Sequence, residues 1–336
     1  MRILKYAIFS LIPALGVLIV LELVFRGLWI DYHPHDPGNR GRFEEGCYEP
    51  SLTRGYAPIP NTCGRNARGF YARDYPEAKA DGTLRVMILG DSIADQRQWG
   101  ERMETSLRDG LGHRGVEVWN GGVGGYDTCS ELRVMEEQGR GLHPDVVLLQ
   151  YCLNDLTLGS SVLMPVDEDT SRLIQGPVQT DLPNVLLRSR LATWVAINYG
   201  LLHATSNGGR APGPEEGYQQ SLTCLTRLKE VVEEEGAELI VVLFPPFFTD
   251  APSSTDVMLF RYDYAWAEAA AARLTQEAHL ASIRLRGPLA ARGRLEEMRN
   301  DPRDPWHPSS QTQLVIGDIL ARDLIGWLKA KQGGGM

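Results

Sequence analysis

Apolar and polar positions alternate in blocks along the chain from Arg85 onwards. Short apolar runs typical of buried strands occupy residues 85–90, 116–120, 145–153, 238–244 and, more weakly, 280–286. Stretches with helical periodicity occupy residues 99–111, 127–139, 215–235, 258–278 and 309–331. Strands that are apolar on both faces and alternate with helices predict a parallel sheet covered on both sides. We therefore predict an α/β domain over residues 84–331, a three-layer α/β/α arrangement around a five-stranded parallel sheet.

Two stretches interrupt this alternation. Residues 31–83 are rich in Pro, Gly, Arg and Tyr and show little periodicity, which indicates a linker followed by an extended lead-in. Residues 156–214 are long and mixed, with an apolar helical piece at about 185–203. Loops of this length are usually functional or disordered. We interpret this one as an insertion that covers or shapes a substrate site and that ends in a mobile linker at residues 206–213.

Residues 1–30 have a different pattern. Basic residues precede an uncharged run from Tyr6 to Leu21, and apolar residues resume after Glu22. A spanning helix needs about 20 mainly apolar residues, which this segment reaches only if Glu22 and Arg26 are included. A cleaved signal peptide would need a small-residue cleavage site, which the segment lacks. A buried core helix is a further alternative. We expect a single-pass signal anchor with the body outside the cytoplasm, although basic residues on both sides weaken the orientation signal.

Charge and cysteine content argue against a nucleic-acid-binding protein and against a structural zinc site. The net charge is −9 and the pI about 5.4, so the basic footprint of a nucleic-acid-binding protein is absent. Cys47 and Cys63 are a plausible bridge if the body is exported, whereas Cys129, Cys152 and Cys224 fall in helix-like or strand-like patterns and are expected to be free and buried. The sequence contains no Cys-x-x-Cys pair, so a structural zinc site is not expected. The two histidines at residues 33 and 35 lack a carboxylate cluster that would support a metal site.

Three predicted strands end in residues that can carry chemistry. Ser92 follows the first strand, where its hydroxyl is exposed and its N–H lies near a positive helix end, although a simple turn is an equal explanation. The loop 120–127 after the second strand is rich in glycine but lacks the dinucleotide-binding spacing; it is either a flexible turn or a donor of N–H groups to an oxyanion. Asn154 follows the third strand, where its amide could stabilise an oxyanion or form an ordinary turn.

Asp304 and His307 lie three residues apart in a proline-rich turn before the last predicted helix. A carboxylate so placed can accept the proton of one imidazole nitrogen, which leaves the other nitrogen free to act as a base towards a serine. A loop histidine beside a carboxylate without function is the commoner case for such a pair. The order of the four signals along the chain, all at one edge of one predicted sheet, favours a single site.

This set resembles the SGNH (GDSL-type) hydrolase family, whose Ser, Gly, Asn and His lie in four separated blocks. Gly90-Asp91-Ser92 resembles the first block, Gly122-Val-Gly-Gly125-Tyr the second, Asn154-Asp155 the third and Asp304-x-x-His307 the last. The resemblance covers about residues 84–330. It departs from the family pattern after Ser92, where Ile-Ala-Asp-Gln follows, and at Cys152, which replaces a common glycine.

The resemblance implies a flavodoxin-like fold, no cofactor, and acyl transfer from an ester of a carbohydrate or lipid. It assigns Ser92, Asp304 and His307 to catalysis, and the N–H groups of Ser92 and Gly125 with the amide of Asn154 to the oxyanion. The expected partners are an ester substrate and, through the N-terminal helix, a membrane, whereas no nucleic acid and no metal are expected. An O-acyltransferase acting on envelope polysaccharide and a non-catalytic carbohydrate-binding relative are the alternatives.

Overall fold

The computed structural model describes residues 13, 15–24, 47–51, 53–73, 75–112, 115–156, 161–162, 174–175, 178–179, 189, 191, 203–204, 214–247, 264–301 and 306–333. Within the chain, two compact units are distinguished. One comprises residues 1–57 and 162–209, and the other residues 58–161 and 210–336.

The strands are numbered in chain order. They are β1 (Tyr48–Ser51), β2 (Gly55–Pro58), β3 (Leu84–Leu89), β4 (Val116–Asn120), β5 (Val146–Tyr151), β6 (Ser161–Val162), β7 (Ile174–Gln175), β8 (Val178–Gln179), β9 (His203–Ala204), β10 (Glu238–Leu243) and β11 (Ala281–Arg284). The helices are α1 (residues 15–24), α2 (Ser92–Asp95), α3 (Gln98–Leu111), α4 (Thr128–Val134), α5 (Pro214–Glu234), α6 (Tyr264–Glu277), α7 (Arg286–Ala290) and α8 (Ser310–Gly333).

Five of these strands form the parallel sheet of the larger unit, in the order β11-β10-β5-β3-β4. Every residue of β3, β4 and β5 is buried, as a strand covered on both faces requires. In chain order β3 is the first strand of this sheet, and it lies between the second, β4, and the third, β5. The strand order therefore reverses between β3 and β5. Open sheets of this kind bind ligands at the carboxyl ends of the strands beside such a reversal.

Two groups of helices cover this sheet. The long helices α3 and α8 pack against each other, while α5 packs against both α4 and α6. The predicted three-layer α/β/α arrangement with five parallel strands is confirmed. The predicted helices were also found within a few residues of their expected ends, except that residues 258–263 lie outside the described part of the chain. The helix predicted over 127–139 continues past Val134 as one π-helical turn, Met135–Gly139.

The cysteine prediction was partly wrong. Cys129 on α4 and Cys224 on α5 form a disulfide, with Cα atoms 5.1 Å apart, because these two helices pack directly on each other. The residues are 95 positions apart, so only the fold brings them together. Cys152 is free and buried, as expected, and Cys47 and Cys63 are both disulfide-bonded.

The smaller unit contains α1, whose apolar side chains are exposed, and the Glu22 carboxylate, which accepts hydrogen bonds from the Ser189 hydroxyl at 2.7 Å and the Leu191 N–H at 3.0 Å. These contacts join α1 to the predicted insertion. Among the helices of the described residues, none is both long and apolar enough to cross a bilayer. Most of the apolar piece at 185–203 and all of the predicted linker at 206–213 lie outside the described residues.

Candidate functional site

Ser92 is the first residue of α2, two residues beyond the glycine that follows β3. The buried Asp91 caps this helix, because its carboxylate accepts a hydrogen bond from the Ile93 N–H at 2.9 Å. The side chain of Ser92 is only partly buried. A strand, a sharp turn and a capped helix therefore present the serine at the carboxyl edge of the sheet.

Gln150 fixes this turn from the neighbouring strand β5. Its amide oxygen accepts hydrogen bonds from the backbone N–H groups of Asp91 at 3.0 Å and Ala94 at 3.2 Å. Gln150 is fully buried, and a Cβ atom on Gly90 would collide with its side chain. The glycine and the glutamine together therefore set how closely the serine turn approaches β5.

His307 lies beside Ser92 although 215 residues separate the two in sequence. The Nε2 atom of the imidazole is 2.7 Å from the Ser92 hydroxyl oxygen. Two contacts hold the loop that carries His307. The His307 carbonyl accepts a hydrogen bond from the Asn300 N–H at 2.9 Å, and Pro308 forms a β-bridge with Arg299. This is the contact that a serine and its general base require.

The loop after β4 approaches the serine helix closely. The side chain of Asn120 donates to the Ala94 carbonyl at 2.8 Å and accepts from the Gly122 N–H at 2.9 Å. A Cβ atom on Gly122 would overlap Ala94, so only glycine allows this approach. The Asn120 side chain therefore links the glycine loop directly to the helix that begins at Ser92.

Gly125 lies in a turn closed by a hydrogen bond from the Tyr126 N–H to the Val123 carbonyl at 3.1 Å. Its φ of 83° at the third position of this turn is typical of a type II turn, which requires glycine there. Gly125 is exposed, whereas Val123 and Tyr126 are buried. The turn therefore has a buried base and an exposed glycine at the same sheet edge as Ser92.

Asn154 lies in the short 3₁₀ helix Leu153–Leu156 that follows β5. Asp155, next to it, accepts hydrogen bonds from the Cys152 N–H at 2.9 Å and the Thr128 hydroxyl at 2.8 Å. These bonds fix the backbone on both sides of Asn154. Asp304 lies outside the described residues, so its role remains a prediction.

The sequence pattern of the GDSL-like lipase/acylhydrolase family matches residues 88–313, well over half of the chain. The chain belongs to this family. It is therefore an ester-hydrolysing enzyme, and the matched span includes all four blocks in which the chain resembles SGNH hydrolases. No curated protein sequence matches the chain.

Solved structures of other GDSL-type and related esterases are similar to this one in outline. They include a lipase/acylhydrolase from Enterococcus faecalis, with 14% identity, 72% of this chain and 96% of that chain covered, and a TM-score of 0.45. An acetyl xylan esterase, AlAXEase, has 15% identity, coverage of 70% and 96%, and a TM-score of 0.43. A mutant of the acetyl-xylooligosaccharide esterase Axe2 from Geobacillus Stearmophilus has 11% identity, coverage of 74% and 95%, and a TM-score of 0.45. These identities are too low to indicate a shared substrate.

Four buried carboxyl groups of this GDSL-like acylhydrolase interact electrostatically, those of Asp91, Asp127, Glu131 and Asp155. Within the described structure, neither carboxyl oxygen of Glu131 has a hydrogen-bond partner. Burial raises the pKa of Glu131 well above its ordinary value, and the negative charges of the other three raise it further. Burial likewise raises the pKa of Asp155, although its two hydrogen-bond donors act in the opposite direction. The pKa values of Glu131 and Asp155 are therefore both raised, because each carboxyl group is buried beside other acidic groups.

A buried arginine connects the lead-in to both loops of the site. The Arg65 guanidinium lies 2.9 Å from the Asp95 carboxylate, and both side chains are 1% exposed. It also donates to the Gly122 carbonyl at 2.8 Å and the Gly69 carbonyl at 2.9 Å. The lead-in of this family member is therefore packed into the support of the site instead of being a passive linker.

Sequence reasoning missed Arg65 and Gln150. Gln150 had a visible signal, because it is the one polar residue inside the otherwise apolar run Val146–Tyr151. Arg65 had none, since its partners Asp95 and Gly122 are 30 and 57 residues away and the lead-in shows little periodicity. Buried polar residues that hold a site are found from sequence only when they interrupt a clear pattern.

Proposed function

We propose that the protein is a serine esterase in which Ser92 is the nucleophile and His307 the general base. The contact of 2.7 Å between the Ser92 hydroxyl oxygen and Nε2 of His307 carries this proposal. Nε2 takes the hydroxyl proton while the oxygen attacks the ester carbonyl carbon. The protonated imidazole then gives its proton to the departing alcohol, and an acyl-serine remains. Water, deprotonated by the same nitrogen, releases the acid and restores the serine.

The oxyanion of each tetrahedral intermediate is held by the N–H groups of Ser92 and Gly125 and by the side-chain amide of Asn154. Several observations support this assignment. Ser92 opens a helix, where the first N–H groups have no acceptor within the helix. Gly125 and Asn154 follow β4 and β5 at the same sheet edge. Asp304 is proposed to orient the imidazole of His307 through its second nitrogen.

The test is hydrolysis of p-nitrophenyl acetate by the full chain and its variants. Ser92→Ala and His307→Ala should each lower kcat by about 10⁴-fold or more. Asn154→Ala should cost about 10²–10³-fold, as loss of one oxyanion donor does. Matched controls are Ser310→Ala and His143→Ala, which remove an exposed serine and an exposed histidine. Activity of Ser92→Ala close to that of the native chain would refute the assignment.

The proposed substrate is an O-acyl ester, such as an O-acetyl group, on a carbohydrate or lipid. We also propose that α1 anchors the protein in a membrane and that the catalytic body lies outside the cytoplasm. Eight large apolar side chains between Leu15 and Val24 are 38–63% exposed, which a helix surrounded by water rarely shows. The disulfide between Cys129 and Cys224 is typical of an oxidising compartment. Fractionation of cells before and after a high-salt wash tests the membrane anchor. Protease access to the catalytic body in intact cells tests whether it lies outside the cytoplasm.

Transfer of the acyl group to a sugar hydroxyl is the second candidate function. It is favoured by the exposed apolar helix α1, because a membrane anchor would hold the enzyme near envelope polysaccharide. Both reactions share the acyl-serine, so they differ only in the acceptor. Product analysis with a sugar acceptor present separates them, since hydrolysis yields free acid and transfer yields an acylated sugar. A fluorophosphonate probe that labels the native chain but not Ser92→Ala would exclude a non-catalytic carbohydrate-binding role.

A further inference from the structure

Two of the proposed oxyanion donors, Gly125 and Asn154, follow strands that are not neighbours. Gly125 lies in the turn after β4, and Asn154 lies in the 3₁₀ helix after β5. Within the described sheet, β3 lies between β4 and β5, so these two strands exchange no ladder hydrogen bonds. The donors must nevertheless keep a fixed separation, because each has to lie about 2.7–3.1 Å from the same oxygen. A contact outside the sheet must therefore set the distance between them.

A buried hydrogen bond between Thr128 and Asp155 supplies such a contact. The Thr128 hydroxyl donates to a carboxyl oxygen of Asp155 at 2.8 Å. Thr128 is 1% exposed and Asp155 is 6% exposed, so the bond is shielded from water. Thr128 follows Gly125 by three residues, and Asp155 directly follows Asn154. One side-chain hydrogen bond therefore joins the two chain segments that carry the donors.

The backbone around Thr128 is fixed with respect to the turn that contains Gly125. Thr128 is the first residue of α4, and Asp127 caps this helix by accepting hydrogen bonds from the N–H and the hydroxyl of Ser130, at 2.9 and 2.8 Å. The turn with Gly125 ends at the buried Tyr126, immediately before the cap. Because the turn runs directly into the capped helix, the positions of Gly125 and Thr128 are linked.

The backbone around Asn154 is fixed at the other end of the bond. The second carboxyl oxygen of Asp155 accepts a hydrogen bond from the Cys152 N–H at 2.9 Å. The Asp155 N–H in turn donates to the Cys152 carbonyl at 3.2 Å. Asn154 lies between these two residues, so this ring of hydrogen bonds encloses its backbone. Asn154 therefore shifts together with Asp155.

The Thr128 hydroxyl is close to one other hydroxyl group among the described residues, that of Ser221 on α5. The two oxygens lie 3.5 Å apart, which is long for a hydrogen bond between hydroxyl groups. The Ser221 oxygen is closer to the Tyr151 hydroxyl, at 2.9 Å. The disulfide that joins α4 to α5 starts from the residue after Thr128 and holds the two helices together at this point. The strong bond of the Thr128 hydroxyl is therefore the one to Asp155.

We propose that Thr128 is a positioning residue that sets the separation of the Gly125 and Asn154 donors through its hydrogen bond to Asp155. This inference rests on the proposed esterase function, because it concerns the oxyanion formed on that pathway. Thr128 is buried and acts through Asp155, not through contact with the substrate. Since the oxyanion forms only after substrate has bound, loss of the bond should lower turnover and leave substrate affinity largely unchanged.

The test compares Thr128→Val with Thr128→Ser in the hydrolysis of p-nitrophenyl acetate by the full chain. Valine has nearly the shape of threonine but no hydroxyl, so kcat should fall about tenfold or more while KM changes less than about twofold. Serine keeps the donor, so the loss in kcat should stay below about threefold. Thr226→Val, which removes an exposed hydroxyl on α5, is the matched control and should retain the kcat of the native chain.

A double-mutant cycle separates positioning from a general loss of stability. In the Asn154→Ala background one of the two donors is already absent, so adding Thr128→Val should lower kcat by less than about threefold. Equal losses in both backgrounds would overturn the proposal. A native kcat in Thr128→Val, or a Thr128→Ser variant as impaired as Thr128→Val, would overturn it as well. If Thr128→Val lacks a native circular dichroism spectrum, Thr128→Ala takes its place in the cycle.

Failure of the esterase proposal gives a different result. A native chain that does not cleave the ester, or a Ser92→Ala variant that cleaves it normally, removes the acyl-serine pathway and the role of Thr128 with it. Activity that depends on Ser92 but not on Asn154 removes the donor that Thr128 is proposed to position. Activity that depends on both residues and is unaffected by Thr128→Val overturns the role of Thr128 alone.

Discussion

The amide oxygen of Gln150 lies 3.0 Å from the backbone nitrogen of Asp91, immediately before the serine. Because the same oxygen also accepts the Ala94 N–H, one buried side chain satisfies two N–H groups of the nucleophile turn. The position of Ser92 relative to His307 therefore depends on a residue of the neighbouring strand that hydrogen-bonds to the backbone on both sides of Ser92.

Replacement of Gln150 by methionine should disturb this turn while nearly preserving the volume of the core. Two buried N–H groups lose their acceptor, so the free energy of unfolding should fall by about 2 kcal/mol or more. We expect kcat for p-nitrophenyl acetate to fall about tenfold, with a smaller change in KM, because the serine is displaced from the histidine. Gln219→Met, at an exposed position on α5, is the control for the chemical change alone. An unchanged kcat in a destabilised Gln150→Met variant would show that the contact only supports the fold.

Arg65→Met should destabilise the protein by about 3–5 kcal/mol, because it leaves the Asp95 carboxylate buried without its guanidinium. Adding Asp95→Leu to this variant should recover part of the loss, since a buried pair costs less to replace than to break. Arg68→Met removes a partly exposed pair with Glu77 and should cost about 1 kcal/mol or less. Chemical denaturation of the four chains measures these differences. Equal losses for Arg65→Met and Arg68→Met would contradict the proposed importance of burial.

Glu131→Gln should stabilise the protein, and increasingly so as the pH rises. The carboxyl group of the unfolded chain loses its proton around pH 4.5, whereas the raised pKa of Glu131 in the folded state means that the proton is lost only at higher pH. Folding therefore takes up a proton above pH 4.5, and stability declines by up to about 1.4 kcal/mol per pH unit until the folded pKa is reached. Glutamine resembles the neutral acid and removes this decline.

Thermal melts at pH 5 and pH 8 test this directly. The difference in Tm between Glu131→Gln and the native chain should be larger at pH 8. Glu233→Gln, at an exposed site on α5, should show no such growth. A Tm difference that is the same at both pH values would mean that Glu131 does not retain its proton on folding.

Thiol titration should distinguish the cysteines. In denaturant without reductant, one thiol, that of Cys152, should react, and five should react after reduction. Cys129→Ser together with Cys224→Ser should lower the free energy of unfolding by about 2–4 kcal/mol, as loss of a native bridge does. Cys152→Ala, which leaves the bridges intact, is the control for loss of one sulfur. Five reactive thiols in the unreduced chain would contradict the pairing.

The sheet could be predicted because its strands follow a simple rule. Val146–Tyr151 and Glu238–Leu243 are apolar over most of their length, and burial on both faces leaves little alternative. The proximity of Ser92 and His307 could be anticipated because each falls at the end of a regular element at one sheet edge, and the family resemblance supplied their pairing.

Other features depend on side-chain contacts that no local pattern encodes. The pairing of Cys129 with Cys224 depends on how α4 packs on α5, and helix packing is not visible in either segment alone. The positive φ of Arg97 was equally unpredictable, because turns of this kind usually contain glycine. Irregular backbone at a site is where local rules are expected to fail.

The position of Arg65 matters for anyone who produces this protein in parts. The family's sequence pattern begins at residue 88, inside strand β3, and a gene trimmed to that boundary would omit Arg65 and four of the six residues of the strand. Such a product should collect in inclusion bodies even though every residue proposed to react is present. Soluble expression should require a start upstream of Asn61, because the turn that carries Arg65 is closed by the hydrogen bond from the Asn61 N–H to the Asn66 carbonyl.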